Sequence, residues 1–193
     1  MSGNGKPTLR LVRGGKDGHR FGRVSLSVFS LHDVPACDAI VVEEDSWQIL
    51  AAGPEFTLCR EHPVRIMTEL LDTKPLPAGT VIPREGNPLI MVAVVYDFDS
   101  VPCCRPRWVT TALREVFRIC RLRKIQSLLM PLPGSRYGRF PARKSLRLVF
   151  RILRHDGDCG LRRVSFVCTT EEEKETVDQL LASETEFWSR SRK

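Results

Sequence analysis

Apolar positions recur along this chain in two rhythms, and the rhythms alternate. Asp38-Ala39-Ile40-Val41-Val42-Glu43 and Leu89-Ile90-Met91-Val92-Ala93-Val94-Val95 are nearly unbroken apolar runs rich in β-branched residues, the pattern of strands buried on both faces. Shorter runs at Thr80–Ile82, Ile125–Met130 and Arg163–Cys168 predict further strands. Near the start, Thr8–Arg13 alternates like a half-buried strand, and a turn over Gly14–Gly18 predicts a hairpin into Arg23–Phe29. The other rhythm is helical. Pro63 suits a first helical position, with Val64, Met67, Leu70 and Leu71 on one face. Between Trp108 and Lys124, Val109, Ala112, Leu113, Val116, Phe117 and Cys120 form a single stripe, and Ala142, Leu146, Val149, Phe150 and Leu153 do the same from Pro141 to Arg154. A last helix is capped by Thr169 or Thr170, with Glu172 or Glu173 completing a capping box and Val177, Leu180 and Leu181 packing inward.

Strand and helix alternating from residue 38 onward predict a three-layer α/β/α domain with a mixed, largely parallel central sheet. The expected limits are a disordered stretch 1–7, one domain over 8–184 and a tail 185–193 in which Phe187 and Trp188 could dock.

Composition narrows the class. The 193 residues are 42% hydrophobic and 27% charged, ordinary for a globular domain with a proper core. The formal charge of +7 favours polyanionic or phosphorylated partners. Seven cysteines include no CxxC pair and no Cys/His cluster of zinc spacing, so they read as reduced thiols, and neither a metal nor a cofactor is expected. The longest apolar run, Leu89–Val95, is far short of the roughly 20 residues of a membrane helix, and the N-terminus lacks a signal-peptide core. The expectation is a soluble cytoplasmic protein.

One stretch carries candidate chemistry. Ile125–Met130 runs into Pro131-Leu132-Pro133-Gly134-Ser135-Arg136-Tyr137-Gly138-Arg139-Phe140 and re-enters a helix at Pro141. Strand, glycine-bearing loop and helix start can seat an anion, because free backbone N–H groups and the helix dipole face it while glycines allow close approach. The same pattern also describes an ordinary strand-to-helix connection.

In order along residues 23–184, these segments resemble the macro domain family. Asp38-Ala39-Ile40-Val41 is similar to the opening of its signature. Leu76-Pro77-Ala78-Gly79-Thr80, Val94-Val95-Tyr96-Asp97, the Ile125–Pro141 stretch and Val164-Ser165-Phe166-Val167 with its acidic helix resemble later segments. The resemblance implies binding of ADP-ribose or a related nucleotide at the C-terminal ends of the strands. It implies a diphosphate loop at Gly134, Ser135, Arg136, Tyr137 and Gly138, with Tyr137, or less directly Phe140, as the aromatic against the distal ribose. By position it also implies Ala52 and Gly53 in the first phosphate loop, and it sets the reader of the adenine amino group at Leu31. Asp33, two residues on, substitutes if that loop is longer by two, and otherwise the adenine contact is gone.

The departures bear on mechanism. Where hydrolytic members have Asn-Ala-Ala-Asn, this chain has Val42-Glu43-Glu44-Asp45, and its first glycine loop is reduced to Ala51-Ala52-Gly53-Pro54. Three carboxylates beside a diphosphate would repel it, and proline removes an N–H. The expectation is therefore a divergent, non-catalytic module that binds ADP-ribose or a related nucleotide diphosphate, or serves as an interaction domain. Two alternatives stand beside it: nucleic-acid binding through Arg114, Arg118, Arg121, Arg143, Arg147 and Arg151, and an ADP-ribosyl hydrolase with an atypical site. Ordinary solvated helix faces would show the same arginines.

Overall fold

A computed structural model describes residues 18–50, 74–155 and 159–190. The expectations at 1–7, the strand at 8–13, the helix at 63–71 and the loop positions Ala52 and Gly53 lie outside them. The described elements are β1 (His19–Phe21), β2 (Val24–Ser30), β3 (Ala39–Asp45), β4 (Val81–Arg84), β5 (Leu89–Tyr96), α1 (Pro106–Arg123), β6 (Ser127–Met130), α2 (Ala142–His155), β7 (Arg163–Cys168) and α3 (Glu171–Arg190).

The strands form one mixed sheet in the order β1-β2-β7-β6-β3-β5-β4. From β2 through β5 the pairing is parallel, and β1 and β4 close the two edges antiparallel. This is the α/β class with the mixed sheet that the alternating rhythms predict. Helix α1 packs on β5 and β4, α3 on β1, β2 and β7, and α2 lies between α1 and α3. The predicted stripe of α1 is buried in full, and Leu146, Val149 and Phe150 of α2 and Val177 and Leu181 of α3 join it in one core. Strand alternation sends Leu89, Met91, Ala93 and Val95 into that core. Val42, Val92, Val94 and Leu129 are buried as well, outside that cluster.

Three boundaries differ from expectation. Among the described residues the antiparallel neighbour of β2 is His19–Phe21, joined to it at Gly22 with φ 63°. Strand β3 runs on through Glu44 and Asp45, which the charge pattern places beyond its end. Helix α3 continues to Arg190, so residues 185–190 are helix and not a tail. The ring of Trp188 stacks on Phe150 with centroids 6.4 Å apart and meets Phe21 edge-on. In sequence the stripe Val177–Leu181–Trp188 is broken by Glu184, and only the fold shows that Glu184 is buried against α2.

Because the inner strands are parallel, the exits of β2, β3, β5, β6 and β7 gather along one edge of the sheet. Crevices of this kind, outside the carboxyl ends of parallel strands, are where open α/β sheets bind ligands.

Candidate functional site

At the centre of that edge is a carboxylate. Glu43 lies in the last half of β3 and is 8% exposed. One of its oxygens accepts the Gly134 N–H at 2.6 Å and the other accepts the Tyr96 hydroxyl at 2.9 Å. The Tyr96 oxygen in turn accepts the Tyr137 N–H at 3.4 Å. Burial pushes the Glu43 carboxyl up to about 7, opposed by its Gly134 and Tyr96 hydrogen bonds and by the charge of Arg136. Burial, reinforced by Glu43, also raises Tyr96 far above the ordinary phenol range.

The neighbouring carboxylates serve the next loop. Glu44 accepts the N–H groups of Asp45 at 3.0 Å and Leu50 at 2.7 Å. Asp45 accepts those of Trp47, Ile49 and Leu50 at 2.7, 2.9 and 3.1 Å. All three acidic residues are buried. They are the internal acceptors of loop amides, which is why a sheet strand can end on three consecutive charges.

The β6–α2 loop crosses over Cys104, and this contact explains its glycines. Gly134 has φ +78°, and a Cβ there would lie 2.8 Å from the Cys104 sulfur. A Cβ on Gly138 would lie 2.3 Å from the Cys104 Cβ, which no side chain tolerates. The close approach that glycine permits is thus to another part of the chain. Burial pushes the Cys104 thiol up to about 12, with Glu43 and Cys103 adding to it, so it is an inert packing residue. Ser135 donates to the Leu132 carbonyl at 2.8 Å. Phe140, 8% exposed, is packed in the core.

Tyr137 is different: it is 40% exposed, edge-on to Tyr96 at 5.6 Å, with the Arg136 guanidinium over its ring at 5.4 Å. Phe98, 48% exposed, stacks parallel to Tyr96 at 6.0 Å. Trp47 donates its indole N–H to Asp99 at 2.8 Å and so ties the β3 exit to the β5 exit. Ser135 and Arg136, with Leu31, Leu132, Cys168 and Glu173, line a shallow depression between the exits of β2, β6 and β7. Asp33 is exposed in the turn after β2, its N–H bound to Ser30 and its carboxylate 3.4 Å from the Ser30 hydroxyl. At the start of α3, Thr170 caps the Glu173 N–H while Glu173 reaches back to the Thr169 N–H and hydroxyl.

The sequence reading gave no role to Tyr96, Cys104 or Trp47. A tyrosine closing an otherwise aliphatic strand was the available signal for the first. The basic helix faces look different in three dimensions: Arg118 pairs with Glu115, and Arg143 and Arg147 both pair with Glu184. Among the described residues no group of His, Cys, Asp and Glu could hold a metal ion, and no helix is long and apolar enough to cross a membrane.

No family model matches the chain, and no curated protein sequence does. Solved structures do match. An Oceanobacillus iheyensis macrodomain with ADP is 17% identical with a TM-score of 0.62, covering 88% of this chain and 96% of that one. A Trypanosoma brucei macrodomain in complex with ADP-ribose is 17% identical with a TM-score of 0.57, over 81% of this chain and 68% of that one. An alphavirus P23pro-zbd structure is 18% identical with a TM-score of 0.55, over 83% of this chain and 24% of the other. Sheet order, helix placement and these likenesses agree: the chain has the macrodomain fold.

Proposed function

We propose that this chain is a non-catalytic recognition module that binds a nucleotide carrying a diphosphate, ADP-ribose or a relative of it, at the exits of its parallel strands. The observation that carries the reading is the half-exposed Tyr137 ring under the Arg136 guanidinium, beside the depression lined by the β2, β6 and β7 exits. An aromatic face with an adjoining guanidinium suits a ribose or base joined to phosphate. Macrodomains of similar fold crystallised with ADP or ADP-ribose support the ligand class.

The chemistry at β3 supports the non-catalytic reading. Hydrolysis needs a positioned water and groups that stabilise developing charge. Val42 is apolar and buried, Asp45 is engaged with loop amides, and both oxygens of Glu43 already hold protein donors. Among the described residues, these carboxylates are thus committed first to holding the chain's own amides and phenol. Nucleic-acid binding through the helix faces is the weaker reading, since Arg118, Arg143 and Arg147 are matched by carboxylates.

Calorimetric titration with ADP-ribose and with ADP tests the reading. The expected result is saturable binding that weakens in Tyr137→Ala, together with no release of ADP-ribose from a modified protein substrate. Turnover above background would overturn the non-catalytic assignment, and absence of binding heat from either ligand at pH 6 and pH 8 would overturn the nucleotide assignment.

A further inference from the structure

A phosphate seat built from a glycine loop works by pointing backbone N–H groups at an anion. Here the Gly134 N–H already has one, at 2.6 Å. The same carboxylate takes the Tyr96 hydroxyl, and the Tyr137 N–H is turned onto that hydroxyl's oxygen. A backbone amide and a phenol beside the charge of Arg136 are the groups expected around a phosphate, and Glu43 occupies the amide and the phenol from inside the chain. We propose that Glu43 is a tethered anion that fills the oxyanion seat of the β6–α2 loop, so that a phosphate group gains the Gly134 amide only when this carboxylate has been neutralised or displaced.

The proposal rests on the nucleotide reading above for the identity of the natural ligand, while the seat and its occupant stand on geometry alone. Among the described residues, four titratable groups face Glu43: Tyr96 from β5, Cys104 from the β5–α1 loop, Arg136 from the β6–α2 loop and Glu173 from α3. Its chain neighbours Glu44 and Asp45 are occupied with their own loop. Of these described groups only Arg136 carries positive charge, and Glu173 adds repulsion. A second anion entering the seat beside an ionised Glu43 would meet like charge in a poorly solvated place. Once a proton from solvent sits on Glu43, the same group becomes an O–H donor and changes from competitor to contributor. The burial that raises its ionisation toward neutrality makes such a change accessible.

Sulfate, which does not titrate near neutrality, is the probe for the seat, and ADP is the probe for the nucleotide reading. Both are titrated into the ¹⁵N-labelled full chain and into Glu43→Gln at pH 6 and pH 8, following the Gly134 amide resonance. The expected result is roughly tenfold weaker sulfate binding to the wild type at pH 8 than at pH 6, as the competent fraction falls, and no such change in Glu43→Gln. In the free wild type, the Gly134 amide should also shift with pH near neutrality, and this readout survives even if the variant fails to fold. Equal sulfate affinity at both pH values together with a pH-silent Gly134 amide would overturn the tethered anion. If ADP still binds in that case, the nucleotide reading stands without it. If instead sulfate shows the pH dependence and ADP does not bind, the seat stands and the nucleotide reading falls.

Discussion

Two buried carboxylates, one in the helix layer and one at the sheet edge, are solvated by opposite means. Glu184 of α3, 1% exposed, lies against the α2 surface, where the Arg147 Nε is 3.0 Å from both its oxygens and Arg143 is 3.8 Å away. Glu43, 8% exposed, has no cation in contact among the described residues; its partners there are a backbone amide and a phenol. The first arrangement neutralises a charge to glue two helices together. The second surrounds a charge with neutral donors, as a protein surrounds a bound oxyanion. A carboxylate held by an ion pair is structural cement, whereas one held by a glycine-loop amide marks a place where an external anion could stand.

The sharpest test of that contrast is the pH dependence of stability. The folded Glu43 carboxyl ionises at about 7, above the ordinary 4.5, so its contribution is fully present below the lower value and is lost as pH rises through the upper one. The gap corresponds to about 3 kcal/mol. Urea unfolding should show the wild type losing about this much between pH 4.5 and 8 relative to Glu43→Gln. Asp38, held low by its Ser127 and Gln126 hydrogen bonds, titrates in a more acidic window and leaves this difference intact. A flat difference curve would mean that burial leaves the Glu43 carboxyl at its ordinary ionisation.

Next in size is the break of the cation-held partner. Arg147→Met strands Glu184, and the expected loss is roughly 2–3 kcal/mol, below the full value for a buried pair because Arg147 is itself partly exposed and Arg143 remains. Chemical denaturation at pH 7 reads it, and a loss under 0.5 kcal/mol would mean the pair is incidental.

Tyr96→Phe removes a single donor from Glu43. It should cost about 1.5 kcal/mol at pH 8, where the carboxylate is ionised, and less at pH 5, where it is not. An equal cost at both pH values would assign the hydroxyl to packing alone. The smallest effect concerns the rim: Tyr137→Ala should weaken ADP binding by about tenfold, or about 1.4 kcal/mol, while shifting stability by less than 1 kcal/mol. Reversed magnitudes, with stability lost and binding kept, would make Tyr137 part of the Tyr96–Glu43 scaffold instead of the site.

Much of this was legible before the fold. The stripe of α1, a threonine cap at 169 or 170 with a glutamate reaching back, and the limits of β7 follow from local periodicity and capping chemistry, which need no distant partner. Glu43, Glu44 and Asp45 were legible only as charge: as sequence they read as a repulsive end to a strand. Whether a carboxylate repels or receives depends on which N–H groups face it, and Gly134 and Glu43 are 91 residues apart. Glu184 misled in a similar way, interrupting an apolar stripe whose continuation to Trp188 depends on Arg147 from another helix.

By itself, then, the sequence determined the alternation of buried strands and amphipathic helices, the parallel class of sheet that such alternation demands, and a glycine-bearing loop after β6. These are short-range properties, set by side-chain spacing and backbone freedom. The tertiary structure decided what the glycines are for and what the acids hold. Gly134 and Gly138 make room for Cys104, and Glu43 enters the seat that the loop builds. Both facts depend on strands far apart in the chain leaving the sheet along one edge, an arrangement that only chain-wide packing can specify.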